Sequence, residues 1–489
     1  MKPRSKAWRW MMKGLRILSL AVVVFLVTVI GIRLYDIQQS PPLAVWHTYV
    51  PDELDTEELE RSSWQDYLAR EEKIFTLLRQ HVSQNLEPED RVDSNRYFSG
   101  AAVYPEHFAH DWNRSYLLEP TGKPAGVAVL LHGLTDSPYS LRHIAMHYRA
   151  VGYVVVAIRL PGHGTVPAAL TDATWEDWAA ATRLAVREAR WRVPAPLPLQ
   201  MVGFSNGGAL ALMHALQALG DPELAAPDRL VLISPMVGIT RFARFAGLAS
   251  LPAVLPAFAK AAWLNIVPEF NPFKYNSFPV NAARQSYELT QVLQDNIARR
   301  QRQGGLDRLP PILTFHSVLD FTVSTRALIS ALYARLPANG SELVLFDLNR
   351  ATKLGPLFRR GLAWSMSGTL PGERRNYRLT IITNASETSS DMMERVTEAG
   401  STAVTDYPIG MTYPREIYSL SHVALPFPSN DTLYGQHPDN IEEYGISLGA
   451  ISIRGEVGAL IGSMDALARL TSNPFYPYLI KRIDGVIPR

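Results

Sequence analysis

Between residues 126 and 348, short unbroken apolar runs alternate with longer amphipathic stretches. Gly126–Leu131, Tyr153–Ile158, Leu197–Val202, Leu230–Pro235, Pro311–His316 and Glu342–Leu348 read as strands. Their lack of polar alternation predicts burial on both faces. Helical patterns lie between them: Tyr139 to Val151, ended by Gly152; residues 175–190; a stretch opening after Gly207; and about 324–335. Strands that alternate with helices predict an α/β fold with a mostly parallel sheet sandwiched by helices. In such sheets, sites gather at the carboxyl ends of the strands.

Two stretches break the alternation. Residues 236–310 are rich in Phe, Trp, Ala, Leu and Pro, and Phe245 to Ala259 carries no charge before Lys260. Pro252, Pro256 and the short length argue against a membrane span there, and the stretch reads as a helical lid over a pocket. A structural insertion packed on the core is the alternative. Residues 350–415 hold a strand-like Leu379–Thr383 and a helical pattern from Ser390 to Ala399 stopped by Gly400, which suggests an extra β-α unit. Ahead of the first long strand, Asp55 to His81 reads as a charged amphipathic helical region, and residues 36–103 are expected to be a spacer. Tyr104 to Pro120 is expected to supply the first strands.

Ile17 to Ile32 contains no charge and is dominated by Leu, Val, Ile and Phe. Leu15, Leu34 and Tyr35 lengthen this run towards a hydrocarbon core of roughly 30 Å, with Arg16 and Arg33 able to snorkel. Residues 1–16 are then a basic cytosolic tail, 17–35 an uncleaved transmembrane anchor, and the remainder lies outside the cytosol, periplasmic in a double-membraned bacterium. A cleaved signal peptide is the rival, although no clear Ala-x-Ala site follows. The body divides into a first core part over 104–235, the insertion over 236–310, and a second core part over 311–489 that includes the 350–415 insertion.

Charge alters the view of partners. The formal net charge of +2 over 489 residues conceals seven basic and no acidic side chains in residues 1–33, so the rest of the chain is net acidic. Without a basic patch or run, nucleic acid is not an expected partner. The chain has no cysteine, which excludes disulfides, thiolate metal sites and a cysteine nucleophile. Zinc-type spacings and glycine-rich phosphate loops are absent too, so no cofactor is expected.

The chemistry centres on Gly203-Phe204-Ser205-Asn206-Gly207, a Gly-x-Ser-x-Gly set between a strand and a helix start. That context makes a nucleophile elbow: a strained serine projects above the sheet, small neighbours allow close packing, and a helix N-terminus faces the same spot. A serine hydroxyl needs a base, and the base an orienting carboxylate. With chain order serine, acid, histidine, the candidate bases are His422, in a loop with the local apolar anchor Val423-Ala424-Leu425, and His437, in a polar turn. His422 is the expected base. Asp320, in the loop leaving the Pro311–His316 strand, is the expected acid, with Asp347 as its rival and a helix N-terminal charge as its plainer role. Backbone N–H groups of Leu134 and Asn206 are the expected oxyanion donors. His163 and His316 read as structural, and His107 and His110 lack a metal-type partner set.

With these residues in place, the chain resembles the α/β-hydrolase superfamily, most of all its serine carboxylesterases and monoacylglycerol lipases. Four segments carry the likeness: Leu130 to Ser137; Arg159-Leu160-Pro161-Gly162-His163-Gly164 with Trp175-Glu176-Asp177-Trp178 after it; Gly203 to Gly208; and Asp320-Phe321-Thr322-Val323. The resemblance implies Ser205, Asp320 and His422 as catalytic, Leu134 and Asn206 at the oxyanion hole, and a small-molecule ester or lipid substrate. Two departures stand out. Ser317 occupies a position that is usually glycine, and 102 residues separate Asp320 from His422. An acyltransferase or a peptidase would use the same residues, and a non-catalytic binding protein could keep the fold.

Overall fold

The computed structural model describes residues 41–238, 256–355, 374–440, 443–450, 455–456 and 469–488, with Phe358 and parts of 10–31. Its centre is a ten-stranded sheet. In chain order the strands are β1 (Tyr116–Leu118), β2 (Gly126–Leu131), β3 (Tyr153–Ile158), β4 (Leu199–Phe204), β5 (Arg229–Ile233), β8 (Ile312–Ser317), β9 (Glu342–Phe346), β10 (Arg378–Asn384), β11 (Asp391–Thr397) and β12 (Val404–Thr412). The short strands β6 (Trp263–Asn265) and β7 (Phe278–Pro279) pair apart from it. Across the sheet the order is β1-β3-β2-β4-β5-β8-β9-β10-β11-β12. From β3 to β10 all pairs are parallel, while β1, β11 and β12 run antiparallel to their neighbours.

Alternation along each strand sends side chains to two cores. Val127, Val129 and Leu131 face one side, with Val154, Val156 and Ile158. That face is covered by α4 (Trp175–Arg192), α5 (Asn206–Ala218) and α6 (Val280–Arg302), through residues such as Trp178, Leu212 and Leu293. Ala128, Leu130, Val155 and Ala157 face the other side, against α3 (Arg142–Ala150) and α7 (Tyr476–Asp484). Burial on both faces explains why these strands read as continuous apolar runs.

Three expectations need correction. First, 390–399 is not a helix but β11. Met, Glu and Arg are good helix formers, but helix propensities differ by less than about 1 kcal/mol per residue. The antiparallel ladder with β10 and β12, and the Arg395–Asp406 pair at 2.9 Å across it, outweigh that preference. The insertion therefore lengthens the sheet by three strands instead of adding a β-α unit. Second, residues 280–302 fit the alternative of a structural insertion packed on the core: α6 buries Leu289, Leu293 and Ile297 there. The uncharged stretch on which the lid expectation rested lies mostly outside the described residues, and Pro256–Ala262 forms a 3-10 helix.

Third, 41–103 is not a detached spacer. The helices α1 (Thr56–Arg61) and α2 (Trp64–His81) begin at Asp55 and Ser63, whose side chains accept the N–H of Glu58 and Asp66 in reciprocal caps. Leu59, Trp64 and Tyr67 then join the main core. Beneath them, the fully buried Arg159 guanidinium is gripped by both oxygens of Glu53, at 2.7 and 2.9 Å, and by Glu71 at 3.0 Å. Glu53 also accepts the Gly162 N–H at 3.0 Å, and Tyr67 donates to the Arg159 carbonyl. Burial pushes the Glu71 carboxyl up, with Arg159 and Ser115 opposing the shift.

The anchor expected at 17–35 falls largely outside the described residues. Within the described part, 12–21 is helical with Leu15, Ile17, Leu18 and Leu20 exposed. Among the described residues, no helix is long and apolar enough to cross a membrane.

A buried ion pair that loses one partner leaves an uncompensated charge. Glu71→Ala is therefore expected to lower unfolding stability by about 3–5 kcal/mol in urea titrations. Glu57→Ala, which removes the exposed Arg61–Glu57 pair, should change it by no more than about 0.5 kcal/mol.

Candidate active site

Ser205 sits between β4 and α5 with φ 53° and ψ −113°, a region disfavoured for a residue with a Cβ. Such strain costs about 1–3 kcal/mol and persists only where the surroundings over-determine it. Here Ser205 N–H donates to the Ile233 carbonyl at 3.0 Å, and the Ser205 carbonyl accepts from Gly208, Ala209 and Met236. The flanking glycines are steric necessities. A Cβ on Gly203 would lie 2.4 Å from the Gly207 carbonyl oxygen, and one on Gly207 would lie 1.9 Å from that of Leu131. That close approach brings the end of β2, and the loop leaving it, against the elbow.

The loop from His132 to Ser137 carries Leu134, half-buried against the main core. His132 fixes its path. Its Nε2 accepts the Leu160 N–H at 3.0 Å, so Nδ1 carries the proton and donates to the Gly133 carbonyl at 2.9 Å. Burial drives this imidazole well below its usual pKa, which keeps it neutral. Thr135 adopts a positive φ of 64°, and its carbonyl accepts the Tyr275 N–H at 2.9 Å. Asn206 is the first residue of α5, where a main-chain N–H has no partner within its own helix.

Asp320 follows β8 in a loop whose main chain turns back on its carboxylate: Oδ1 accepts the N–H groups of Thr322 at 2.8 Å and Val323 at 2.7 Å. Its other oxygen lies 2.7 Å from His422 Nδ1. His422 opens a 3-10 turn after β12, and its Nε2 lies 3.0 Å from Ser205 Oγ. The structure thus brings Ser205, His422 and Asp320 into one hydrogen-bonded line, from residues 102 and 217 positions apart. Burial alone would raise the Asp320 carboxyl, but the His422 imidazole, His316 and the Val323 N–H hold it well below the usual carboxylate range. With Nδ1–H donated to that carboxylate, Nε2 has a free lone pair for the serine proton.

The rival residues lie elsewhere. Asp347 directly follows β9 and accepts from Thr383 Oγ1 at 2.8 Å and from Arg350. His437 is exposed in its turn. His163 is buried against Trp178 and hydrogen-bonds the Pro161 carbonyl. Among the described residues, no group of three or more His, Asp or Glu is placed to hold a metal ion. His316 is a core histidine as expected, but only half satisfied: Nε2 meets Thr325 Oγ1 at 2.9 Å, while Nδ1 faces the Asp320 carboxylate at 3.8 Å. Sequence reasoning also missed the acidic and basic residues that tie distant loops together. One set joins Asp431, buried in the C-terminal tail, to Arg142 at 2.7 Å and His143 at 3.0 Å on α3. No local spacing announces such long-range pairs.

Burial lowers the His316 pKa from 6.5 to about 4. Between those values the unfolded chain takes up a proton that the folded chain refuses, so this residue's contribution to stability falls as pH drops. The stability of the wild type relative to His316→Asn is expected to decline by up to about 1.4 kcal/mol per pH unit from pH 6.5 towards 4, read from denaturant unfolding at each pH. A difference that does not vary with pH contradicts it.

A model of the alpha/beta hydrolase family matches residues 128–385. A thermostable monoacylglycerol lipase of Bacillus sp. (strain H-257) is 36% identical over 92 residues, a match that spans 19% of this chain and only 35% of that lipase. Among solved structures, a metagenome-derived lipolytic enzyme aligns at 24% identity and TM-score 0.38, covering 49% of this chain and 88% of its own. A monoglyceride lipase from Saccharomyces cerevisiae aligns at 14% identity and TM-score 0.37, covering 48% and 81%. The family match takes in more than half of the chain, from β2 through β10 with the serine elbow and the Asp320 loop inside it, and the protein belongs to the alpha/beta hydrolase family.

Proposed function

We propose that this protein is a serine hydrolase of carboxylic esters, with Ser205 as nucleophile, His422 as general base and Asp320 as its orienting acid. The observation that carries the reading is the continuous line from Ser205 Oγ through His422 to Asp320, at 3.0 and 2.7 Å. In the first step Ser205 Oγ bonds to the ester carbonyl carbon as His422 Nε2 takes the hydroxyl proton. Asp320 stabilises the imidazolium that results. The N–H groups of Leu134 and Asn206 receive the oxyanion, and each such donor is worth roughly 10²–10³ in rate. Collapse expels the alcohol, protonated by His422, and leaves an acyl-serine. Water, deprotonated by the same nitrogen, then releases the acid and restores the serine.

A lipid-derived ester is the favoured substrate class. The local identity to a monoacylglycerol lipase supports it, as does an N-terminal segment whose described part exposes apolar side chains. On this reading the segment is a membrane anchor with its basic flank in the cytosol and the body on the other side.

Ser205→Ala and His422→Ala are each expected to lower kcat on p-nitrophenyl esters by about 10⁴-fold or more, and Asp320→Asn by about 10⁴-fold, with the fold intact by circular dichroism. A fluorophosphonate probe should label the wild type at Ser205 and leave Ser205→Ala unlabelled. Undiminished turnover in Ser205→Ala rejects the mechanism. A panel of acyl lengths reads the substrate class, and product analysis with added alcohol separates hydrolysis from acyl transfer.

Removing residues 1–40 should shift the protein from the membrane to the soluble fraction with ester turnover kept within about two-fold, since it leaves Leu43, Ala44, Val45 and Trp46 in their cluster with Tyr97 and Trp263. A truncated chain that still sediments with membranes contradicts the anchor.

A further inference from the structure

The relay has a brace that comes from the C-terminal tail. Glu456 is fully buried, and its Oε2 accepts the main-chain N–H of His422 at 2.9 Å. Arg469 forks onto both oxygens of that carboxylate, each at 2.7 Å. The same guanidinium donates to Thr322 Oγ1 at 3.0 Å, and the Thr322 N–H is one of the two that hold Asp320 Oδ1. These bonds close a circuit: His422 ring to Asp320, Asp320 to Thr322, Thr322 to Arg469, Arg469 to Glu456, and Glu456 back to the backbone of His422.

The circuit is anchored on all sides. The Glu456 N–H donates to Ser419 Oγ at 2.9 Å, and the Tyr418 hydroxyl donates to the Glu456 carbonyl at 2.9 Å. Leu470 N–H donates to the Gly455 carbonyl at 3.0 Å, and Ser421 Oγ donates to the Leu470 carbonyl. A Cβ on Gly455 would lie 2.1 Å from the Tyr418 ring, so only glycine lets the tail come this close.

We propose that Glu456 and Arg469 are positioning residues that hold the His422 loop and the Asp320 loop in register; this rests on the reading of Ser205, His422 and Asp320 as the catalytic relay. The need for them follows from topology. The chain leaves the Asp320 loop, forms β9, and then runs out through β10, β11 and β12 at the sheet edge before it returns to His422. After so long an excursion the histidine loop meets the sheet through side-chain ties such as Ser317 Oγ of β8 to the Leu420 carbonyl at 2.8 Å, not through a strand ladder of its own, and a displacement of about 1 Å at a reacting group can cost roughly 10² in rate. Because carboxylate and guanidinium neutralise each other, the pair acts on His422 through placement more than through net charge.

The test uses the full-length protein with p-nitrophenyl butyrate and a fluorophosphonate. Glu456→Ala and Arg469→Ala are each expected to lower kcat by about 10–100-fold, with KM within about three-fold, and to slow labelling of Ser205 by the same factor. Glu456→Gln keeps an acceptor for the His422 N–H and should recover to within about five-fold of wild type. Wild-type kcat in a folded Glu456→Ala overturns the proposal, as does a rise in KM with kcat unchanged, or a Gln variant no better than Ala. If Glu456→Ala does not fold, Arg469→Ala and Thr322→Val decide, since Arg469 is partly exposed and Thr322 lies at the site's surface; wild-type kcat in both overturns it. Ser205→Ala runs alongside. Its inactivity beside unimpaired brace variants sinks the brace alone, whereas its retained activity sinks the relay itself.

Discussion

A carboxylate with no exposed surface stays ionised only where donors surround it, and Asp320 is such a group. Two main-chain N–H groups of its own loop satisfy one oxygen, and the imidazole of a residue 102 positions away satisfies the other. Much of the architecture answers to that pairing. Strand β8 must end where its loop can curl, the histidine must arrive from beyond β12, and the tail must arrive as well to hold the histidine's backbone. The elbow at Ser205 is a second constraint, local where the first is long-range. Its strain is tolerated because Gly203 and Gly207 let three pieces of main chain touch.

The central strands, their parallel order and the elbow were legible in the sequence because each rests on a local signal: unbroken apolar runs, and glycines at fixed offsets from a serine. Asp320 and His422 were legible through chain order, and the structure brings both to Ser205. What could not be read depends on contacts between distant segments. The stretch around Met393 has the composition of a helix and becomes a strand because β10 and β12 flank it. The helix at 280–302 belongs to the main core, although the insertion around it was read as a lid, because its apolar stripe meets α5. Glu53, Glu71, Glu456 and Asp431 each look like ordinary surface acids until the fold supplies an arginine.

Those arginine partners share a role. Arg159, Arg142 and Arg469 each sit where a segment outside the parallel sheet meets a loop or helix; Arg159 and Arg142 meet carboxylates from remote parts of the chain, and Arg469 meets Glu456 of its own tail while reaching across to Thr322. Helices α1 and α2 are fastened to the Arg159–Gly164 loop in this way, and the C-terminal tail is fastened to α3 and to the His422 loop. Buried ion pairs of this kind add little net stability over apolar packing, but a misaligned version would be costly, so they favour one docking of each segment over its neighbours.

The insertion that carries the sheet outward to β12 also leaves it with a long border. Nine residues of that strand are mostly open to solvent, Val404 and Tyr407 among them, and a bare ladder of this length invites another chain to add to it. Pro408 interrupts the row of donors in its middle, and the register slips between Asp391 and Met393 on the strand beside it. Aspartate and arginine stand across the two strands at Asp406 and Arg395. The enlarged sheet thus ends in an edge whose proline, register shift and charges are features that discourage pairing with another chain.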